Sequence, residues 1–184
     1  ATQTFTIVVT PVNDAPVAVA DTATVLEDAE ATSIDVLGND TDEEGDPLTL
    51  VSVTTSGTGT VTVDGLLLEY TPAADFNGTE EVSYTVSDGL LTSEGMLTIT
   101  VTPVNDAPTI TSTAVTTATE DIAYTYTITT EDVDGDVVTV SATGLPSWLT
   151  LSGNTLSGTP TEGETDSEIT ITATDDGDGT LTAT

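Results

Sequence analysis

The chain has 184 residues, 32 of them Asp or Glu, with no Lys, Arg, His or Cys and a formal net charge of -32. Phosphate recognition needs Lys or Arg, so nucleic acid is excluded as a partner and an anionic membrane surface is disfavoured. Disulfides are excluded too, and no apolar run approaches the roughly 18–20 residues of a membrane span, so no membrane insertion is expected.

Without a cationic side chain, a carboxylate here is satisfied by water, backbone N–H, protonation or a bound cation. Apolar residues make up 36% of the chain. They alternate with Thr and other polar residues, which favours half-buried strands over helices or disorder. The length leaves room for two modest cores. Small domains without disulfides need another staple, and a metal is the candidate. No signal peptide is visible, and Ala1 reads as the edge of a fragment.

Residues 4–10 alternate Thr, Phe, Thr, Ile, Val, Val, Thr and predict one strand, the last of a preceding domain copy spanning 1–10. They run into Pro-Val-Asn-Asp-Ala-Pro at 11–16, a linker stiffened by two prolines. The same six residues recur at 103–108, 92 positions later, again after a strand-like run. That spacing suits small all-β domains in a row.

The first full domain is 17–102, with strands predicted over 17–25, 31–37, 47–55, 59–63, 66–70, 80–87 and 95–102. Seven short strands at this spacing predict an immunoglobulin-like sandwich. Tyr84, inside an alternating strand, reads as core or as a tyrosine-corner analogue. The second domain is 109–184, with strands over 109–117, 122–130, 136–142, 148–151, 154–157 and 167–174 and a stub at 180–184. Trp148 reads as its core anchor. Its last strand is expected to be incomplete. Joined head to tail, residues 180–184 and 1–10 read as one continuous strand, so donation of a strand between molecules is an expected partner mode.

Loops of a seven-stranded sandwich alternate between its two ends. One end of the first domain then gathers Asn13, Asp14, Asp40, Asp42, Asp46 and Asp88, and the other gathers Glu27, Asp28, Asp75 and Asn77. The second linker adds Asn105 and Asp106, followed by Asp132, Asp134, Asp136 and Asp175 at the near end of the second domain. Its far end offers Glu120 and Asp121, with Glu162 and Glu164 as weaker candidates, while Glu44 and Glu94 read as solvated. Calcium takes six to eight oxygen ligands, roughly this inventory, whereas zinc and its relatives want the absent His or Cys. Two carboxylates about 4 Å apart repel by about 1 kcal/mol in water and about 4 at an effective dielectric of 20, a term calcium reverses. The bland alternatives are that Asp-Gly loops are ordinary turns and that acidity serves solubility.

Val36-Leu37-Gly38-Asn39-Asp40-Thr41-Asp42, Tyr70-Thr71-Pro72, Asp75-Phe76-Asn77-Gly78 and Tyr84-Thr85-Val86-Ser87-Asp88-Gly89 resemble the tandem cadherin-like repeats of giant bacterial surface proteins. Gly144-Leu145-Pro146-Ser147-Trp148-Leu149 and Leu156-Ser157-Gly158-Thr159-Pro160 resemble a dystroglycan-type cadherin-like domain. The resemblance implies an all-β chain of two tandem immunoglobulin/cadherin-like sandwiches, of the kind found in extender regions of RTX-type adhesins. Those are secreted by type I systems and held at the bacterial cell surface. It also implies that the Glu27 region, Asn105-Asp106 and Asp132/Asp134 correspond to the groups that hold calcium between cadherin domains. The Asp-Arg-Glu signature of animal cadherins is missing, so the middle ligand group stays open, with Asp75 its candidate. The RTX nonapeptide is absent from this chain.

The leading expectation is a calcium-stiffened spacer between neighbouring repeats of one protein, projecting a binding tip. The alternative is a carbohydrate-binding or homophilic adhesion module, which would show an aromatic or polar cluster on a loop end unused by calcium. No enzyme is expected, since His, Cys and Lys are missing and loop tips enclose no cleft for a carboxylate pair.

Overall fold

The computed structural model describes residues 1–177 and 181–183. The chain divides into two compact units, Ala1–Val104 and Asn105–Thr184. Among the described residues all regular structure is strand, and no helix is long and apolar enough to cross a membrane.

Unit 1 contains β1 (Asp21–Leu26), β2 (Thr32–Ile34), β3 (Thr49–Thr55), β4 (Thr60–Asp64), β5 (Leu67–Thr71), β6 (Gly78–Ser87) and β7 (Thr92–Thr102). One sheet has the order β1-β7-β6-β3 and the other β2-β5-β4. All pairings are antiparallel except β1 with β7, which is parallel. Every predicted strand of this domain is present. The first starts at residue 21 rather than 17, because only a single bridge, Val17 to Thr41, holds the preceding residues.

The period of two decides the core. On β6 the residues Glu80, Val82, Tyr84 and Val86 face inward, and on β7 Leu97, Ile99 and Val101 do. They meet Val25, Val36, Leu50, Leu68 and Tyr70. The Tyr84 hydroxyl donates to the Asp21 carboxylate (2.9 Å) and the Val19 carbonyl (3.1 Å), so this ring is core and also ties down the approach to β1. Gly95 lies opposite Tyr84, and a Cβ there would fall 2.1 Å from the ring. Gly95→Ala is therefore expected to displace a buried aromatic ring and cost about 1–3 kcal/mol, read as a lower urea midpoint for unit 1.

Unit 2 contains β8 (Thr109–Ile110), β9 (Tyr124–Thr127), β10 (Thr130–Glu131), β11 (Thr139–Thr143), β12 (Leu149–Ser152), β13 (Thr155–Gly158), β14 (Thr170–Thr174) and β15 (Thr182–Ala183). Their sheets run β10-β8, β11-β14-β15 and β12-β13-β9. Tyr126, Ile128, Val140, Leu149 and Leu156 form the core. The predicted strand at 122–130 is split into β9 and β10, which belong to different sheets. At the crossover Ile128 N–H donates to the Asn154 carbonyl and Thr111 N–H to the Thr129 carbonyl.

Two further differences share a cause. The predicted strand at 109–117 forms only at Thr109–Ile110, and the one at 167–174 starts at Thr170. In unit 1 the first strand is held by β7. In unit 2 the place beside β14 is taken by β15, which among the described residues pairs at Ala173 and Thr174. A strand without a ladder partner leaves its backbone groups to water and does not register as sheet. Of the predicted stub, Thr182–Ala183 is strand, while residues 180 and 184 lie outside the described residues. Residues 1–10 carry no ladder pairing and are exposed.

Candidate metal sites at the ends of the two units

The end of unit 1 where the chain enters is built from the 11–16 linker, the β2–β3 loop and the β6–β7 turn. Asn13 Nδ2 donates to Asp88 Oδ2 (2.8 Å), and Asp14 N–H donates to Glu44 Oε2 (3.2 Å). Glu44, exposed as expected, also stands at this end. Its place in the loop two residues after Asp42 was the available signal. Asp40 Oδ1 accepts the Val19 N–H (2.7 Å). Asp42 Oδ1 accepts the N–H groups of Glu44 (3.1 Å) and Asp46 (3.0 Å). Asp88 accepts the N–H groups of Leu91 and Leu90, which with Asn13 hold its carboxyl below the usual Asp range.

The same device recurs at the corresponding end of unit 2. Asp132 Oδ1 accepts the N–H groups of Asp134 and Asp136, both at 3.1 Å. In each loop a glycine just before the last Asp has positive φ, Gly45 at 76° and Gly135 at 80°, which lets the turn close. The second oxygens of Asp40, Asp42 and Asp132 are buried and accept no hydrogen bond. A buried carboxylate oxygen without a donor is costly in a chain that has no cation of its own.

Around Asp132 the site is crowded. One oxygen each of Asp132, Asp134 and Asp136 lies within 4.8 Å of the others. Asp106 N–H donates to Asp134 Oδ2 (2.7 Å), and Asn105 Nδ2 to Asp175 Oδ2 (3.3 Å). Asp175, only 3% exposed, also accepts the N–H groups of Gly177 and Leu181. A Cβ on Gly177 would sit 1.8 Å from Asn105 Oδ1 and 2.2 Å from Asp136 Oδ2, so glycine keeps the space among these oxygens open. Asp176, absent from the expected ligands, accepts the Val137 N–H (2.8 Å) and faces Asp136. The rest of that acidic turn, Asp178 and Gly179, lies outside the described residues.

Burial, then repulsion from Asp132, Asp176, Asp134 and Asp175, raises the Asp136 pKa. A carboxyl whose folded pKa is raised adds stability below the ordinary Asp range and loses it as pH rises through the folded value. In chelator at neutral pH, Asp136→Asn should therefore raise the melting temperature of unit 2. With calcium present it should lower it, and calorimetry in both buffers checks the reversal.

The end of unit 1 where the chain leaves is organised by Glu27, 3% exposed. Its Oε1 accepts the Val104 N–H (2.6 Å) and its Oε2 the Asn77 side-chain amide (3.3 Å). Asp28 Oδ1 accepts the Asp75 N–H (3.1 Å). Among the described residues the only non-glycine residues with positive φ are Asp28 (58°), Asp75 (55°) and Asp121 (59°), all three expected ligands. Asp tolerates this backbone better than most side chains, though at a cost. At the far end of unit 2, Asp121 N–H bonds the Pro160 carbonyl (2.9 Å), and Glu120 accepts the Gly163 N–H (3.4 Å). Glu162 and Glu164 are exposed and join no acidic cluster there among the described residues.

The aromatic residues depart from expectation. Trp148 is half-buried and meets Tyr124 edge to face, with ring centroids 5.9 Å apart. With Tyr126 they line a cavity of about 500 Å³ in unit 2, where sequence reasoning placed core alone.

Seven strands in two sheets, with the first parallel to the last, define unit 1 as an immunoglobulin/cadherin-like sandwich, and the chain is a tandem pair of such domains. Residues 13–100 match the family model described as a bacterial Ig domain, and residues 107–184 match that of a putative Ig domain. Human protocadherin-24 EC1-2 is similar in fold, with a TM-score of 0.60 and 17% identity over 92% of this chain and 94% of that one. Drosophila N-cadherin EC1-4 gives a TM-score of 0.57 and 16% identity over 93% of this chain and 48% of that one. An endo-fucoidan hydrolase from glycoside hydrolase family 107 is 27% identical over 92% of this chain, at a TM-score of 0.39, and this chain spans 28% of its length. No curated protein matches the chain.

Proposed function

We propose that the chain is a spacer segment of a large bacterial cell-surface adhesin, stiffened by Ca2+ at the domain ends that flank its linkers. The observation that carries this reading is the repeated Asp loop. In both units its first Asp spends one oxygen on closing the turn and keeps the other buried without a donor.

Asp132, Asp134, Asp136 and Asp175 would hold a cation with Asn105 and Asp106 of the adjoining linker. Asp40, Asp42, Asp46 and Asp88 would do so with Asn13 and Asp14. Glu27, Asp28 and Asp75 stand at the other end of unit 1, where residue 104 continues into the linker. Calcium would supply a positive centre that turns mutual repulsion into shared coordination. Each linker would then be held by the acidic end of the domain that follows it, which restrains the chain's entry into that domain. Glu120 and Asp121 repeat the Glu27-Asp28 pair and would face the next linker in the same way. The bacterial Ig match supports placement outside the cell, with neighbouring repeats of the same protein as partners.

Small-angle scattering in calcium and then in chelator tests the reading. A larger maximum dimension and reduced flexibility are expected with calcium. Identical profiles in both buffers would overturn the stiffening role.

A further inference from the structure

We propose that unit 1 associates with a second copy of itself flank to flank, β3 lying antiparallel against β3. The inference stands apart from the calcium reading and rests on where the acids are missing.

The chain has 32 acids among 184 residues, yet residues 47–63 carry none. That stretch folds into β3 and all of β4 but its last residue, Asp64. β3 is the outermost strand of one sheet and β4 the outermost of the other, and the two touch beside the short turn that joins them. Their free edges therefore make one flank almost without charge. The opposite flank differs. There β1 starts at Asp21 and runs into Glu27 and Asp28, and β2 lies between Glu30 and Asp35.

An exposed strand edge offers unpaired N–H and C=O groups to any strand that can reach it, and is usually guarded by charge, proline or a bulge. Lysine is absent from this chain, and no acid stands on β3. Its one guard is a bulge between Leu50 and Ser52, which leaves Val51 57% exposed. Beyond it Ser52–Thr55 keep an even register with Thr85–Val82. Glu80 fixes the turn that follows by accepting the Thr58 and Gly59 N–H groups, so the edge is ordered before it meets a partner.

Charge selects the occupant. A cationic partner would be drawn to the acidic ends of the domain rather than to this neutral side. Two copies of a chain with net charge -32 repel wherever carboxylates meet. On the β3–β4 flank, neutral surface meets neutral surface. Antiparallel pairing about a two-fold axis also puts the two acidic loops at 42–46, which lead into β3, at opposite ends of the contact, whereas parallel packing would stack them. Val51 of each copy adds apolar contact at the seam. The contact is smaller than that of a stable dimer, so the dissociation constant is on the order of 1 mM.

Sedimentation velocity on the full chain in chelator, up to about millimolar concentration, tests the proposal. Chelator removes calcium bridging between acidic ends as a source of association. Concentration-dependent dimers are expected at about 0.15 M salt and more of them at about 1 M, because the Debye length falls from about 8 to about 3 Å. Val51→Asp/Thr54→Asp sets like charges on the facing edges and should weaken association at least about tenfold at the lower salt. Thr22→Asp/Thr24→Asp adds the same charge to β1, the other edge of that sheet, and should leave association within about twofold of wild type. All four residues are exposed, so both melting curves should match wild type. Hydrogen exchange in wild type, at high against low concentration, should gain protection along β3 and none along β1. A wild type that stays monomeric throughout overturns the proposal, as does association that salt weakens. So do equal losses in the two variants, or protection confined to any element other than β3.

Discussion

Calcium at 100-fold excess over its dissociation constant is expected to stabilise each liganded domain by about 2.7 kcal/mol. For domains of this size that is a rise of roughly 10–20 °C in melting temperature over chelator. The effect is large because the apo state is poor. The loops gather carboxylates whose buried second oxygens at Asp40, Asp42 and Asp132 have no donor. Asp42→Asn and Asp132→Asn keep an oxygen to accept the turn amides but remove charge from the site. By relieving the same repulsion they should raise the chelator melting temperature somewhat, as Asp136→Asn should, and erase most of the calcium shift. Asp132→Ala removes the turn acceptor as well, so unit 2 should also melt earlier in chelator, by about 1 kcal/mol per lost hydrogen bond. Ligating carboxylates must be ionised, so the calcium shift should shrink as pH falls into the carboxylate range. Superimposable melting curves in calcium and chelator would defeat the metal reading.

Glu80→Ala is expected to be among the most damaging single changes in unit 1. Glu80 is 3% exposed inside a sandwich, where an acid normally has no place. It is kept ionised by donors. Its carboxylate accepts the Thr58 N–H (2.6 Å), the Thr58 hydroxyl (3.0 Å), the Gly59 N–H (3.1 Å) and the Tyr70 hydroxyl (2.9 Å). Gly57 and Gly59 make room, since a Cβ on Gly57 would lie 2.2 Å from the Glu80 carboxyl carbon and one on Gly59 2.6 Å from the Tyr70 ring. The acid therefore closes the β3–β4 turn from within and anchors the Tyr70 ring beneath it. Truncation to Ala leaves several buried donors unpaired, a loss of about 3 kcal/mol or more. Tyr70→Phe removes one partner and should cost about 1–2 kcal/mol.

The pH dependence of that carboxylate has a definite sign. Burial pushes the Glu80 pKa up, but the Gly59 N–H, the Tyr70 hydroxyl and the two Thr58 donors outweigh it, and the net value is lowered. A carboxyl with a depressed folded pKa contributes stability above the ordinary Glu range and loses it as pH falls through the folded value. Urea titrations of wild type and Glu80→Gln should therefore differ most near neutral pH and converge under acid. A constant difference across that range would mean that the charge itself contributes nothing. On the donor side, burial first, then the hydrogen bond to Glu80 and the Glu80 charge raise the Tyr70 pKa, so its hydroxyl stays protonated and donates.

Local chemistry was legible in the residues alone. Alternating Thr and apolar positions set every strand of unit 1, because a half-buried strand is a pattern of period two. The Asp loops at 42–46 and 132–136 were legible for a similar reason, since an Asp side chain and a following glycine close a turn within five residues. The Asn-Asp linkers were recognisable as a repeat. Tertiary structure alone decided the matters that depend on distant partners. It withheld a ladder from residues 111–117, because strand pairing is supplied by another stretch of chain. It took Glu80 inside, where an alternating pattern shows an acid facing inward but not the three amide and hydroxyl-bearing residues waiting for it. It brought Glu44 and Asp176 to the acidic ends and opened the cavity beside Trp148. Turns and side-chain alternation are written within a few neighbouring residues, whereas edges, cavities and buried charges arise only when separate segments meet or fail to meet.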